Sequence, residues 1–330
     1  MKRNRRTILL FSVFLLCIAL VAAVLFNLDR IMSAINGTPD DGSNDRNDTL
    51  DTVYIDGVAY RPKSTVKNYL IIGIDERGAV DSNGQAQADF ILVLSFDSSD
   101  NSYTVMPINR DTMTEILVYD VFTGKAKESV AQIALSHNDG SFTEISNDRK
   151  CKNTAKAVSN LLYGIEFKNY ASMTMDAVGI IVDCIGGVEV YVEYDMTSID
   201  ERLVGGQNVL LDGELAIKFI GARGGVADET NTSRMERQMA FFDAFIKAAK
   251  SAELDEKLLL ECFEKVEDYI VTNAGDSILG EISDKLEKYE KKATVKLPGK
   301  SRVGQKYMEF HVDEEGLKDI VTNVFYKKTN

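Results

Sequence analysis

Cysteine is scarce in this 330-residue chain, with four in all. Cys17 lies inside an N-terminal apolar run, which leaves Cys151, Cys184 and Cys262. No CxxC pair and no Cys/His cluster occurs, which excludes the usual zinc-binding spacings. The three remaining cysteines are read as buried thiols, with a Cys151–Cys184 disulfide as the alternative. Positive charge is also short: 38 Lys and Arg stand against 51 Asp and Glu, a net charge of −13. Nucleic-acid binding needs a basic face that displaces counterions, so nucleic acid is excluded as a partner. Any anion site must then be local, built from a few arginines in an acidic molecule. No internal repeat and no low-complexity run is present.

What is there begins with the N-terminus. Lys2, Arg3, Arg5 and Arg6 precede a run from Ile8 to Phe26 with no charge, Gly or Pro. That run has about the length needed to cross a ~30 Å hydrocarbon core. In lipid only a helix satisfies its own backbone groups, so residues 8–26 are expected to form a transmembrane helix. Residues 1–7 then stay in the cytoplasm as a basic tail, and the rest is extracytoplasmic in a single-pass membrane protein. Asn27, Leu28 and Asp29 follow Phe26 without a small-x-small cleavage site, so a retained anchor is preferred to a cleaved signal peptide. Residues 27–62 are expected to be a polar linker, and residues 63–330 a folded domain.

Within the domain, Asn68–Ile74 and Phe90–Phe96 are short apolar runs of strand length, and Tyr103–Ile108 is a third. The turn residues Asp97 to Ser102 predict an antiparallel hairpin between the second and third strands. Helices are expected over Thr154–Leu162, Asp176–Ile185, Asp212–Ile220, Ser233–Lys250, Glu253–Tyr269, Ile278–Lys291 and Glu314–Phe325. Further strands are expected over Tyr170–Met175, Val188–Val192, Thr294–Leu297 and Met308–Val312. This mixture predicts an α/β fold, a three-layer α/β/α sandwich with a mixed central sheet.

Four segments carry possible chemistry: Gly73 to Arg77 after the first strand, Asp89 before the second, Asn109 to Thr112 after the third, and Arg223 with Arg234 and Gln238. A meander of the three strands brings Asp75, Asp89 and Arg110 to one sheet edge, although 35 positions separate Asp75 from Arg110. Paired carboxylates suit a hard cation such as Mg²⁺ (or Mn²⁺) that bridges phosphate oxygens. Arginine adds bidentate phosphate contacts. The competing interpretation is a set of plain surface ion pairs, which are worth little. Ser233 and Glu236 fit a capping box, which predicts a helix starting at Ser233 with Met235, Met239, Phe242 and Ile246 as its buried stripe. Arg234 in a first turn is mildly repelled by the helix dipole, which hints at an anion between them.

In these segments the chain resembles the LytR–CpsA–Psr family. The matching stretches are Asn68–Gly78, Ala88–Asp97, Thr104–Thr112, Met175–Val192, Leu211–Arg223 and Ser233–Phe241, with Leu297–Gly299 near the end. Together they span roughly Lys63 to Phe325. The resemblance implies a cell-wall phosphotransferase that moves a glycopolymer from a polyprenyl pyrophosphate carrier to a peptidoglycan hydroxyl. It also implies a long apolar pocket for the prenyl chain. By position, Asp75, Asp89 and Arg110 look like the catalytic residues, with Asp75 and Asp89 holding the metal. Arg77, Arg110, Arg223, Arg234 and Gln238 look like the residues that bind the lipid pyrophosphate.

The chain also departs from the family pattern. Gln87 replaces an Arg, Asn109 a Pro, Gln132 a basic residue, Gly221 an Arg and Asn231 an acid. A non-catalytic polyprenyl-phosphate binder or regulatory protein is therefore the alternative to the transferase, and a ligand-free scaffold is the third option.

Overall fold

The computed structural model describes residues 52–76, 86–120, 123–141, 144–252 and 256–329. The expected membrane span and Arg77 lie outside these residues. Among the described residues, no helix is long and apolar enough to cross a membrane.

The chain runs through β1 (Val53–Ile55), β2 (Val58–Pro62), β3 (Val66–Asp75), β4 (Gln87–Asp97), β5 (Ser102–Ile108), β6 (Met113–Tyr119) and β7 (Ala126–Gln132). It continues through α1 (Asp148–Leu161), β8 (Asn169–Thr174), α2 (Met175–Cys184), β9 (Val188–Val192), β10 (Gln207–Leu211), α3 (Gly213–Gly221) and α4 (Asn231–Ser251). The last part contains α5 (Glu256–Val266), β11 (Ile270–Thr272), α6 (Asp276–Lys288), β12 (Glu290–Thr294), β13 (Gly299–Val303), β14 (Met308–Val312), α7 (Glu314–Phe325) and β15 (Tyr326–Lys328).

Six strands form the central sheet in the order β11-β8-β3-β4-β5-β12. The meander β3-β4-β5 is antiparallel throughout, as the turn at Asp97–Ser102 requires. β8 joins β3, and β12 joins β5, in parallel, so the sheet is mixed. Both faces are apolar, which is why the strands read as continuous hydrophobic runs. One face carries Leu70, Ile72, Ile91 and Val93 against α1 and α7, through Val158, Leu161, Val321 and Phe325. The other face carries Tyr69, Leu92, Leu94 and Phe96 against Met239 of α4 and Leu286 of α6. A layer of helices therefore lies on each side of the sheet.

Several expectations change. Residues 53–62, read as linker, form β1 and β2, which pair with each other, and β2 also pairs with β15 near the chain's end. The strand expected over Thr294–Leu297 lies earlier, because β12 pairs with β5 from Glu290 opposite Ser102. The hairpin β6–β7 was not expected; the Ala126–Gln132 strand is mostly polar and exposed, so it carries no hydrophobic signal. The cysteine assignment is corrected as well. Cys184 at the end of α2 is bonded to Cys262 of α5, with Cα atoms 6.1 Å apart, and Cys151 is a free buried thiol. A Cys151–Cys184 bond is ruled out by placement, since Cys151 packs in the α1–α7 core on the opposite face of the sheet.

Candidate active site

The site begins with a defect in the sheet. Gly73 pairs with Phe90, but Ile74 pairs with Ala88, so Asp89 is an extra residue in β4. A β-bulge of this kind bends the strand and re-aims one side chain. Here Asp89 and Phe90 both turn toward α4: Asp89 meets Arg234, and Phe90 lines a cavity with Gln238 and Phe241. Gly73 is the residue that permits this close approach, because a Cβ there would lie 2.8 Å from the Cβ of Phe90.

Asp89 is 5% exposed and is surrounded by guanidinium groups. One of its carboxylate oxygens accepts from Arg110. The other accepts from Arg223 at 2.5 Å and lies 3.6 Å from Arg234. Arg110 and Arg234 are themselves buried, at 7% and 3%, whereas the Arg223 side chain is 43% exposed at the rim. Each arginine comes from a different element: Arg110 follows β5, Arg223 follows α3, and Arg234 sits in α4. Burial pushes the Arg234 guanidinium down to about 10, against the opposing pull of Asp89. Asp111 lies beside this cluster, with its carboxyl pushed up by burial and pulled back by Arg110, Arg234 and Arg223.

Four of the five departures from the family pattern, at Gln87, Asn109, Gln132 and Asn231, meet at this place. Gln87 accepts from Arg110 through its side-chain oxygen. Gln132 donates to Asp111 at 2.9 Å. Asn231 accepts from Arg234 at 2.6 Å and donates to Asn109 at 2.6 Å. Three uncharged amide side chains thus bond the charged groups, and Asn109 bonds one of the three. Among the described residues, five buried side-chain polar atoms lack a hydrogen-bond partner, and three of these are Nδ2 of Asn109 and the Nε atoms of Arg110, which lies 3.6 Å from an Asp111 oxygen, and Arg234. Unpartnered buried donors cost about 1–3 kcal/mol each, so three at one point favour an acceptor there.

Behind the arginines lies an apolar cavity of about 180 Å³. Its walls are Ile71, Gly73, Phe90 and Leu94 of the sheet, and side chains of α2, α4 and α6, with Thr174 and Gln238 as the polar exceptions. Gln238, one turn beyond Arg234, also borders the small cleft that contains Asp89 and Arg110, so it stands where the polar and apolar parts meet.

The structure brings Asp89, Arg110, Arg223, Arg234 and Gln238 together. Asp75 ends β3, half-buried, with its Cα opposite that of Gln87. The capping box is corrected: α4 starts at Asn231, and Thr230 is its cap, accepting from the Ser233 N–H at 3.2 Å. The Arg234 amide is consequently bonded to Thr230 within the helix. The loop before α4 carries its own bonds, from Thr230 and Ser233 to Asp228 and from Gly225 to Glu229. One contributor has no sequence signal. Arg237 is half-buried and donates to the carbonyls of Phe219 and Ala222 at the end of α3, which fixes the chain just before Arg223.

Among the described residues, no group of three or more His, Cys, Asp or Glu is placed to hold a metal ion. The carboxylates Asp75 and Asp89 have the right chemistry for a hard cation, but both oxygens of Asp89 are already bonded to arginine. The residues fit such an ion only when ligand oxygens complete its shell and take over the arginines.

The LytR_cpsA_psr family profile matches residues 32–325. A Bacillus anthracis protein named polyisoprenyl-teichoic acid--peptidoglycan teichoic acid transferase TagU is 27% identical over 161 residues, which is 49% of this chain and 46% of that one. The protein of that name from Bacillus mycoides is 28% identical over 189 residues, 57% of this chain and 54% of that one. The chain thus spans about half the length of the curated relatives it matches. Among solved structures, Bacillus subtilis TagV superposes with a TM-score of 0.58 at 19% identity, over 79% of this chain and 96% of that one. Protein gbs0355 of Streptococcus agalactiae gives 0.60 at 16% identity, over 79% and 87%. TagT bound to LIIa-WTA gives 0.58 at 17%, over 79% and 90%. With the family profile covering most of its length, this chain belongs to the LytR–CpsA–Psr family.

Proposed function

We propose that this protein is a membrane-anchored transferase. It moves a glycopolymer from a polyprenyl pyrophosphate carrier to a peptidoglycan hydroxyl and leaves a phosphodiester link. The observation that carries this reading is the convergence of Arg110, Arg223 and Arg234 on Asp89, in a cleft that shares Phe90 and Gln238 with an apolar cavity. A diphosphate head matches the guanidinium groups and the unpartnered donors beside them, and a prenyl tail matches the cavity behind. The naming of the TagU relatives as polyisoprenyl-teichoic acid–peptidoglycan transferases supports the same chemistry. The Cys184–Cys262 bond supports an extracytoplasmic domain, because such bonds persist in oxidising compartments.

The mechanism begins with an exchange of partners. The incoming diphosphate takes Arg110, Arg223 and Arg234 from Asp89, so the same step that binds the substrate frees a carboxylate. Asp89, or Asp75 on the neighbouring strand, then accepts the proton of the acceptor hydroxyl. The hydroxyl oxygen bonds to the phosphorus that carries the glycan, and the bond from that phosphorus to the bridging oxygen breaks. Polyprenyl phosphate leaves with that oxygen, its growing charge met by the arginines, which the fold holds in place before the reaction. A Mg²⁺ ion held by Asp75, Asp89 and phosphate oxygens would supply further charge neutralisation.

A second reading, a polyprenyl-phosphate binder without turnover, is favoured by the amides that stand where the family carries charges. One assay separates the two. Full-length protein in detergent is given a polyprenyl-pyrophosphate-linked glycan, peptidoglycan and Mg²⁺. Release of polyprenyl phosphate with covalent attachment of glycan is expected, and both are lost in Arg110→Ala. Lipid binding with neither product would leave the second reading standing.

A further inference from the structure

The hairpin β13–β14 has features that the transfer reaction does not use. Its inner part is fixed to the site. The N–H of Phe310 donates to the carbonyl of Asp111 at 2.8 Å, Phe310 bridges to Thr112, and Gln132 donates to the carbonyl of Met308 at 2.7 Å. β14 therefore lies along the loop that carries Arg110. Its outer end is uncovered. The register pairs Ser301 with Phe310 and Val303 with Met308, so these four share one face. Along that face exposure climbs from 8% at Phe310 to 44% at Met308 and 82% at Val303, and Tyr307 in the turn is 62% exposed. Lys300 and Arg302 lie on the other face and Lys306 in the turn, all exposed, with Glu309 as the one acid in the hairpin. On a chain of net charge −13 this is a local reversal of sign.

We infer that this hairpin tip dips Val303, Tyr307 and Met308 into the boundary of an anionic lipid surface and so holds the Arg110 rim against the membrane. Apolar side chains enter such a boundary, while lysine and arginine stems reach back to the lipid phosphates. Met308 is two residues from Phe310, about 7 Å along the strand, so a tip in the boundary keeps the rim close to it. The inference rests on the lipid-linked donor proposed above: a carrier whose head enters the rim then travels a short path out of the bilayer.

The chain contains no tryptophan, so Tyr307→Trp makes a single fluorescent reporter at the tip, and Leu210→Trp makes one on β10. Full-length protein carrying either reporter is mixed with phosphatidylglycerol vesicles whose acyl chains are brominated. The Tyr307→Trp emission is expected to shift to shorter wavelength and to be quenched, while Leu210→Trp emission is unchanged. Adding Lys300→Ser and Lys306→Ser, or replacing phosphatidylglycerol with phosphatidylcholine, is expected to weaken the quenching. Unquenched, unshifted emission at the tip overturns the inference. So does equal quenching at both reporters, or a shift produced by isolated peptidoglycan and not by vesicles. Quenching is read without turnover: an active transferase with an unquenched tip sinks the tip alone, and an inactive protein with a quenched tip sinks the transferase alone.

Discussion

Asp89 and its arginines depend on one another. A carboxylate at 5% exposure is tolerable because Arg110 and Arg223 bond to it, and two buried guanidinium groups are tolerable because Asp89 lies between them. Breaking a buried ion pair from one side leaves the other charge uncompensated and costs about 3–5 kcal/mol. Asp89→Asn is therefore expected to lower the melting temperature clearly, and inorganic pyrophosphate is expected to restore part of the loss by replacing the missing charge. Thermal unfolding with and without pyrophosphate checks this, and a variant as stable as the parent would contradict it. At this scale the sequence marks the charged residues well, since Asp89 and Arg110 stand at strand ends and a meander brings strand ends together. The bulge at Asp89 is not legible, because it exists only as a register shift against Gly73. Nor is the role of Arg237, whose partners are backbone carbonyls of another helix.

Elements are held in place here by packing and by one covalent tie. α2 lines the cavity through Met175, Val178 and Ile181, and its last residue is bonded to Cys262 of α5. The bond closes a loop of 78 residues, which in the chain-entropy account stabilises the fold by about 4.5 kcal/mol. Replacing both cysteines (Cys184→Ser with Cys262→Ser) is expected to lose stability of that order in urea unfolding, whereas Cys151→Ser is not expected to touch this tie. A double variant within about 1 kcal/mol of the parent would show the tie to be dispensable. Strands β3, β4 and β5 were readable because both faces are buried and the runs are continuously apolar. β6 and β7 were not, because a polar, exposed strand gives no period. The start of α4 was misplaced by two residues, since Thr230 and Ser233 are both good caps and only the fold selects between them.

For the whole molecule, sensitivity to acid has an identifiable source. His137 is buried, bonded to Thr154 and Ser146. Burial, helped by Lys150, pushes its imidazole down to about 3 from 6.5. The unfolded chain takes up the proton first, so the contribution of neutral His137 is complete above about pH 6.5 and is lost as pH falls toward 3. By pH 5 the loss is about 2 kcal/mol, and His137→Gln should flatten the melting curve over that range. A parent protein with no loss between pH 6.5 and 5 would contradict this assignment. The layered fold itself was legible, since strands and helices alternate with buried faces of matching period. The closeness of the arginines to a cavity was expected from the family resemblance alone, because it joins residues after β5, after α3 and in α4 that no local pattern links.

The central claim is that the Asp89 arginine cluster takes a diphosphate while the cavity behind takes a prenyl chain. Titration of the full-length protein with farnesyl pyrophosphate, farnesol and inorganic pyrophosphate tests both halves at once. Farnesyl pyrophosphate is expected to bind about tenfold or more tighter than either fragment, with the advantage lost in Arg110→Gln. Equal affinity for farnesol and farnesyl pyrophosphate, or for inorganic pyrophosphate and farnesyl pyrophosphate, would contradict it.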